Sequence, residues 1–525
     1  MDTRSEASAS SGRTTADPSA EQEKGGRSDS EDVEKGKGHL PQQEEEIPLE
    51  RDEDGVALEN GVPLLRLKGP DDPLSPLNMS LLKRWTVVGV ISSCGFCVTS
   101  CSSMIAFTYP QVEREFEVSQ EVATLGLSLF VLSMGLFPLV VAPLSQWYGR
   151  SPIYIVGFFC FLAFQGGVAA SQNIQSLLIC RFLAGAGGAA FLSVAGGSVA
   201  DVFRPAHIGS PMTCFSASTF LGPVAGPVLS GFINQHANWR ITWFTLLGWG
   251  VLELIALVVF VPETFLPVVL KSQAKKLRKA GRTDVKAPIE LDERSITSVL
   301  KTSCTQPFEL LATEPMALAL CTWTALLLGI LYMFFSAFGI VYSGTYEFEM
   351  QFVGLSYVPL GIGILAGCIC QPFWERQYAN KIKALGRRPP PEEHLRRGIV
   401  GAVLCCLSLF GFAWTCLPQV HWAVPMFFTI FFGTGMLFSY QSVFIYLVDA
   451  YRPAAASAMA ANSAMRSCFA AAFPLFTTAM FRKLGNNWSL TLAAFLCLAI
   501  VPFPYLFFKH GHKYRKGSKF GNKED

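Results

Sequence analysis

Three charged side chains sit inside long apolar runs of this 525-residue chain: Arg181, Glu253 and Arg466. A charge surrounded by hydrocarbon is costly, so such residues face a protein interior or a water-filled cavity and mark pathways and relays. Glu253, the one carboxyl among them, is the candidate proton carrier. Its structural alternative is a carboxyl bonded to a neighbouring helix. Arg181 and Arg466 are either structural cations tied to carbonyls or fixed positive charges, and two of them suit an anionic or neutral cargo better than a cation. Asn462 lies one helical turn before Arg466, and Tyr440 and Gln441 lie well inside another apolar run. These six residues are the expected set for moving cargo and protons.

Other patterns lead away from catalysis. Cys94-Gly-Phe-Cys97, with Cys101 one turn further, has redox or metal spacing. It lies in an apolar run with no strand, histidine or helix N-terminus nearby, so these cysteines read as small packed hydrophobes. Gly185-Ala-Gly187-Gly-Ala-Ala190 matches a dinucleotide fingerprint, but no strand precedes it. There is no Walker A loop, and no Ser/His/Asp or zinc spacing stands out among seven histidines. No cofactor, metal or catalytic group is expected, and an integral enzyme is disfavoured.

The elements that carry these residues are membrane spans. Half of the chain is hydrophobic and 16% is charged, against about 25% charged in soluble domains. Charge-poor runs of about 20 residues suffice to cross the hydrocarbon of a bilayer. Twelve are expected, near 86–109, 122–144, 152–171, 175–200, 210–233, 241–262, 315–342, 352–373, 397–417, 421–447, 454–480 and 488–508. The fold class is therefore an all-α membrane protein of twelve helices in two pseudo-symmetric six-helix halves. Residues 1–80, polar and nearly free of aromatics, read as a disordered cytoplasmic tail without an apolar h-region. Residues 81–262 form the first bundle, 263–314 a central cytoplasmic loop, 315–508 the second bundle and 509–525 a basic cytoplasmic tail. The even-numbered connections and the termini hold roughly 25 Lys and Arg against about four in the odd-numbered ones, so both termini are expected in the cytoplasm. The basic clusters border apolar spans, so their partner is the anionic membrane face and not nucleic acid. The sequon Asn487-Trp-Ser489 abuts the last span and is expected to be unused.

An internal repeat supports two related halves. Asp201-Val-Phe-Arg204-Pro-Ala ends the fourth span, and Asp449-Ala-Tyr-Arg452-Pro-Ala ends the tenth, six spans later. These acids and arginines read as gate or helix-end residues. A weaker echo joins Pro143-Leu-Ser-Gln146 to Pro372-Phe-Trp-Glu375. Halves related in this way organise one large class of transporters. In the fifth span Ser218, Gly222, Gly226 and Ser230 recur every four residues, a small-residue stripe that lets helix backbones approach. The fourth span carries a second stripe, Gly185, Ala189, Ser193 and Gly197. Pro223 and Pro227 each free a carbonyl, so the fifth helix is either a packing helix or a bent element that shapes the rocking of the halves.

On these residues the chain resembles the major facilitator superfamily and, more narrowly, the fungal twelve-span drug:proton antiporters. "GPVAGPVLSGFI", with Gly222, Pro223, Gly226 and Pro227, is similar to the family's fifth-helix antiporter motif. "LLICRFLAGAGGAAF" resembles the fourth-helix motif, which implies a part in proton coupling for Arg181. "APLSQWYGRSPIY" is similar to the loop motif after the second helix, with Gly149 and Arg150 matching and Gln146 standing where the family has an acid. "PETFLPVVLKSQAKKLRK" and "YLVDAYRPAAASAMAANSAMRSCFAAAFPLF" also look like this subgroup. The resemblance covers about residues 82–520. It implies proton-driven export of small amphipathic organic compounds, drugs or secondary metabolites, by alternating access in the plasma membrane. The implied protein is a monomer with small-molecule cargo, protons and the lipid bilayer as its partners. Transport of polyamines or organic acids, uptake by symport, a non-transporting membrane sensor and the vacuolar membrane are the alternatives.

Overall fold

The computed structural model describes residues 56–59, 62–204, 207–291, 295–387, 389–516, 518 and 520. All of them belong to one structural unit. An apolar run in lipid must satisfy its own backbone polar groups, so these runs form helices. Side chains start several of them: Ser80 accepts from the Lys83 amide, Asn173 from Ser176 and Asn238 from Arg240.

The first bundle contains Leu81–Met104, a bent second span, Arg150–Ala169, Ile174–Val202, Gly209–His236 and Trp239–Phe260. The second span is Gln120–Leu136 and Pro138–Tyr148, which meet at 43°. The second bundle contains Pro315–Tyr346, Met350–Leu385, Leu395–Thr415, Ala423–Ala450 and the long run Ala455–Ile500, which Pro502–Lys516 continues. By length and composition, ten helices among the described residues can cross a membrane, or eleven with the bent pair. The last run, Ala455–His512, has 58 residues and would be about 87 Å long as one straight helix. It is not straight. Gly485 leaves helical geometry (φ 75°, ψ 170°), and the Ser489 hydroxyl donates to the Met480 carbonyl at 3.2 Å. Nine residues of helix would separate those groups by about 13 Å, so the chain doubles back at Gly485. Its two arms are therefore separate helices joined at Gly485.

One sequence expectation needs correction. Within the tail expected to be disordered over 1–80, Val56–Glu59 (β1) and Val62–Leu65 (β2) pair as an antiparallel hairpin, and Pro76–Asn78 is a short helical turn. Val56 and Leu65 are buried against Leu270, Ala274, Val285 and Ala287, so the hairpin gains a small core that its own sequence lacks. The earlier part of the tail lies outside the described residues. The central loop is largely helical, with Leu266–Lys279 and Ile296–Thr313, and the basic C-terminal segment is helical as far as Lys516.

Glycines set the close helix pairs. The fifth span packs on the first, where a side chain at Gly222 would meet the Phe96 carbonyl and Thr99, and one at Gly226 the Ser100 carbonyl. Ser230 donates to the Met104 carbonyl at 2.7 Å. The other side of the same helix touches the eighth span of the second half, with Gly354 against the Pro227 carbonyl. The second and eleventh spans make a further close contact between halves, at Gly135 and Ser467.

Candidate functional site

A cavity of about 110 Å³ lies between the halves. The first half contributes Thr99, Met134, Leu192 and the Phe215–Pro223 stretch of the fifth span. The second half contributes Leu328, Leu331, Tyr332, Phe444 and Arg466 from the seventh, tenth and eleventh spans. Arg466 is the only lining residue with a full charge among the described residues. Its guanidinium lies 5.2 Å from the Tyr440 ring centre and 5.1 Å from that of Phe444, a cation–π arrangement. Its Nε is buried and has no hydrogen-bond partner among the described residues.

Three of the expected site residues support one another here. Tyr440 donates to the Thr324 carbonyl at 2.7 Å, and Asn462 Nδ2 donates to the Thr324 hydroxyl at 2.7 Å. Thr324 on the seventh span thus fixes both, a link that a lone threonine in an apolar run does not announce. Phe220 packs against Tyr440 across the halves with ring centres 5.0 Å apart. Gln441 is half-buried and is not among the lining residues.

Arg181 and Glu253 lie elsewhere. Arg181 is fully buried inside the first bundle. Its Nε donates to the Gly126 carbonyl at 3.1 Å, and Nη1 and Nη2 donate to the Cys101 carbonyl at 3.3 and 3.4 Å. The guanidinium sits over the rings of Phe130 (4.3 Å) and Trp243 (5.0 Å). This is a cation tied to carbonyls, which ties together the first, second, fourth and sixth spans. Glu253 is half-buried and accepts from Ser93 Oγ at 2.5 Å and Trp249 Nε1 at 3.0 Å, with Cys94 Sγ at 3.7 Å. The geometry is that of a carboxyl bonded to the neighbouring first span. The cysteines of the CxxC pair are buried, and no group of His, Cys, Asp and Glu able to hold a metal occurs among the described residues.

The charged residues at the tail-side ends form separate networks. Gly149 (φ 99°) turns the chain into the third span, a backbone conformation that glycine adopts without strain. Arg150 then pairs with Asp201 at 3.1 Å and donates from Nη1 to Ser145 Oγ at 2.8 Å. It lies against Gly197 of the fourth-span stripe, where a side chain would meet its Nη2. Gln146 is exposed; the acid that faces Arg150 comes from the fourth span. Sequence reading missed Glu263, which accepts from the amides of Arg150 (2.9 Å), Ser151 (3.2 Å), Thr264 (3.0 Å) and Phe265 (2.8 Å). Its signal was the Pro-Glu pair directly after the sixth span. A carboxylate there satisfies the orphan donors of the third span's first turn and complements its dipole.

The repeat does not recur in contacts. Asp449 pairs with Arg452 of its own motif at 2.7 Å and lies 3.8 Å from His394. Arg397, at the start of the ninth span, donates to Gln371 at 2.6 Å. Arg204 is exposed.

At the opposite end, a vestibule of about 570 Å³ is lined by Glu113, Gln120, Gln235, Phe335 and Glu349, among others. Burial lifts the Glu113 carboxyl above its ordinary proton affinity, and repulsion from Glu121 adds to this. Phe335 also stacks on Tyr357 (5.7 Å) at the vestibule, and Tyr332, which lines the central cavity, shares a 2.9 Å hydrogen bond with Ser102 of the first span.

Comparison with known proteins agrees with this architecture. Residues 91–473 match the Major Facilitator Superfamily model. The chain is 40% identical over 465 residues to the efflux pump atB of Aspergillus terreus, covering 87% of this chain and 90% of that one. It is 40% identical over 463 residues to the MFS-type efflux pump MFS2 of Trichophyton rubrum, covering 87% and 77%. It is 35% identical to the citrinin biosynthesis cluster MFS transporter mrr1 of Monascus ruber, covering 92% and 99%. Among solved structures, the human organic anion transporter MFSD10 matches with TM-score 0.57 at 14% identity, over 80% of this chain and 99% of that one. The xylose transporter XylE of E. coli matches with TM-score 0.55 at 15% identity, over 81% and 99%. With two bundles meeting around one cavity and a family match over most of its length, the chain belongs to the major facilitator superfamily.

Proposed function

We propose that this protein is a proton-coupled secondary exporter of small amphipathic organic compounds, drugs or secondary metabolites, which works by alternating access. The observation that carries the reading is the cavity lined from both halves, with an aromatic wall and one charge. A passenger held there touches both bundles, so rocking one against the other moves its exit from one membrane face to the other. The names of the relatives support the outward direction: two are efflux pumps, and a third belongs to a biosynthetic cluster. The plasma membrane, with both termini in the cytoplasm, is the setting that suits export from the cell.

The contacts at the two ends suit a two-state machine. The Arg150–Asp201 pair and the Glu263 cap tie together the tail-side ends of the second, third, fourth and sixth spans, so the first half moves as one body. The second–eleventh and fifth–eighth contacts between halves are backbone-close and rest on glycine, a smooth surface for sliding. A membrane potential of 100 mV supplies about 2.3 kcal/mol per charge moved, enough for more than tenfold accumulation.

The test is flux from proteoliposomes carrying the full chain under an imposed pH gradient. Export that accelerates with the gradient and acidifies the lumen counter to cargo supports antiport. Flux unchanged when the gradient is collapsed removes the proton, and absence of flux removes the exporter.

A further inference from the structure

We propose that the central cavity takes a cargo with a single planar anionic group, a carboxylate or its equivalent, and that Arg466 is the counter-charge that selects it. This rests on the exporter reading above and names the cargo class of the same cavity.

The argument is one of unbalanced charge. Arg466 lines the cavity, and its Nε is buried without a hydrogen-bond partner among the described residues. No carboxylate lines the cavity among the described residues. A guanidinium withdrawn from water without a counter-ion carries a desolvation penalty that an incoming anion relieves and an incoming cation worsens. The two aromatic faces beside it, Tyr440 and Phe444, hold the guanidinium without neutralising it. The planar fork suits a carboxylate held by two parallel hydrogen bonds.

The comparison with Arg181 makes the assignment specific. Arg181 is fully buried, but its nitrogens already donate to the carbonyls of Gly126 and Cys101. Of the two intramembrane arginines, only Arg466 therefore offers a donor to a passenger. One available charge selects a monoanion, since a second negative group would lack a partner. Phe215, Phe220, Leu328 and Leu331 supply an apolar wall for the rest of the molecule. The expected passenger is a compact aromatic or aliphatic body bearing one acidic group.

Charge accounting follows. Exchange of an outgoing monoanion for one incoming proton carries two positive charges inward, whereas a neutral cargo carries one and a monocation carries none. A potential therefore drives this cargo class harder than the other two.

Three probes of one shape test the proposal: 2-naphthoate, 2-naphthamide and 2-naphthylmethylamine, titrated calorimetrically onto the full purified chain at neutral pH. The acid is expected to bind roughly tenfold or more tightly than the amide, and the amine most weakly. Arg466→Gln is expected to bring acid and amide to within about threefold of each other with the amide unchanged. Ser216→Asp, which adds a carboxylate to the same wall and leaves Arg466 in place, is expected to erase the preference in the same way, whether or not the first variant folds. The proposal is overturned if wild-type protein binds amide or amine as tightly as acid, if it binds none of them, or if either folded variant keeps the wild-type preference. Liposome flux separates this from the exporter reading. Acid-selective binding without flux sinks the exporter and leaves the anion site standing. Equal export of acid and amide does the reverse.

Discussion

Replacing Glu263 tests how the first bundle is held together. Its carboxylate accepts four backbone N–H groups, two at the start of the third span and two in the turn after the sixth. Hydrogen bonds to a charged group contribute about 1.5–3 kcal/mol each when buried, but Glu263 is half-buried and water reaches donors that lose it. Loss of a helix cap of this kind costs about 1 kcal/mol, and two helix-end segments depend on this one side chain. Glu263→Ala is therefore expected to destabilise by about 2–3 kcal/mol. Glu263→Gln keeps an oxygen where Oε1 serves three of the four donors and loses the charge and the Ser151 bond, for about 1 kcal/mol. The readout is heating of the detergent-solubilised protein with a thiol-reactive fluorophore. Cys94, Cys97 and Cys101 are buried and label only on unfolding, while exposed Cys214, Cys370 and Cys468 set the baseline. At about 2 °C per kcal/mol for a large chain, Ala lowers the midpoint by about 4–6 °C and Gln by about 2 °C. An Ala variant that melts with wild type, or a Gln variant as damaged as Ala, refutes the cap.

Three further outcomes follow. Asp201→Asn removes the acid facing Arg150; it is expected to slow flux severalfold while cargo affinity holds, read by parallel transport and calorimetry. Gly226→Leu forces a side chain against the Ser100 carbonyl and is expected to cost about 3 kcal/mol or more, seen as loss of monodisperse protein in gel filtration; Leu229→Ala, an exposed neighbour, is the control and stays monodisperse. The Arg278 guanidinium, with the Ala287 amide, holds Glu290 down at about 2. A depressed folded value contributes stability above the ordinary carboxylate range of about 4.3 that is lost as pH falls towards 2. Pepsin is therefore expected to cut within 266–291 faster at pH values near 2 than near 4, and Glu290→Gln to speed trypsin cleavage there at neutral pH.

Span positions were legible because a run of about 20 apolar residues has one low-energy form in lipid. Which way each span faces was not. Arg181, Glu253 and Arg466 look alike in sequence, since their helices are apolar on nearly every side and offer no polar face to orient them. Only Arg466 reaches the cavity. Tyr440 and Asn462 were found through their polarity, but the residue that joins them, Thr324, looked like ordinary filling. The Asp-Arg repeat was real as sequence and misleading as contact, because Asp201 finds its partner on the third span and Asp449 beside itself. The hairpin at 56–65 was hidden because each strand is only four residues long and its core comes from residues more than 200 positions later.

That hairpin changes what the central connection is. Its strands are fastened to Leu270, Ala274, Val285 and Ala287, and Leu65 and Lys286 share a backbone hydrogen bond. The early part of the connection is thus strapped to the segment that leads into the first span, while Ile296–Thr313 packs on the bent second, seventh and eleventh spans, with Ser457 bonded to Gln306. A nick between Leu291 and Ser295 leaves the hairpin's strap with the upstream fragment and the helix beyond it with the downstream one. Two co-expressed fragments divided there are therefore expected to reassemble, read by co-purification of one with the other, and fragments that do not co-purify would show that the peptide link is needed.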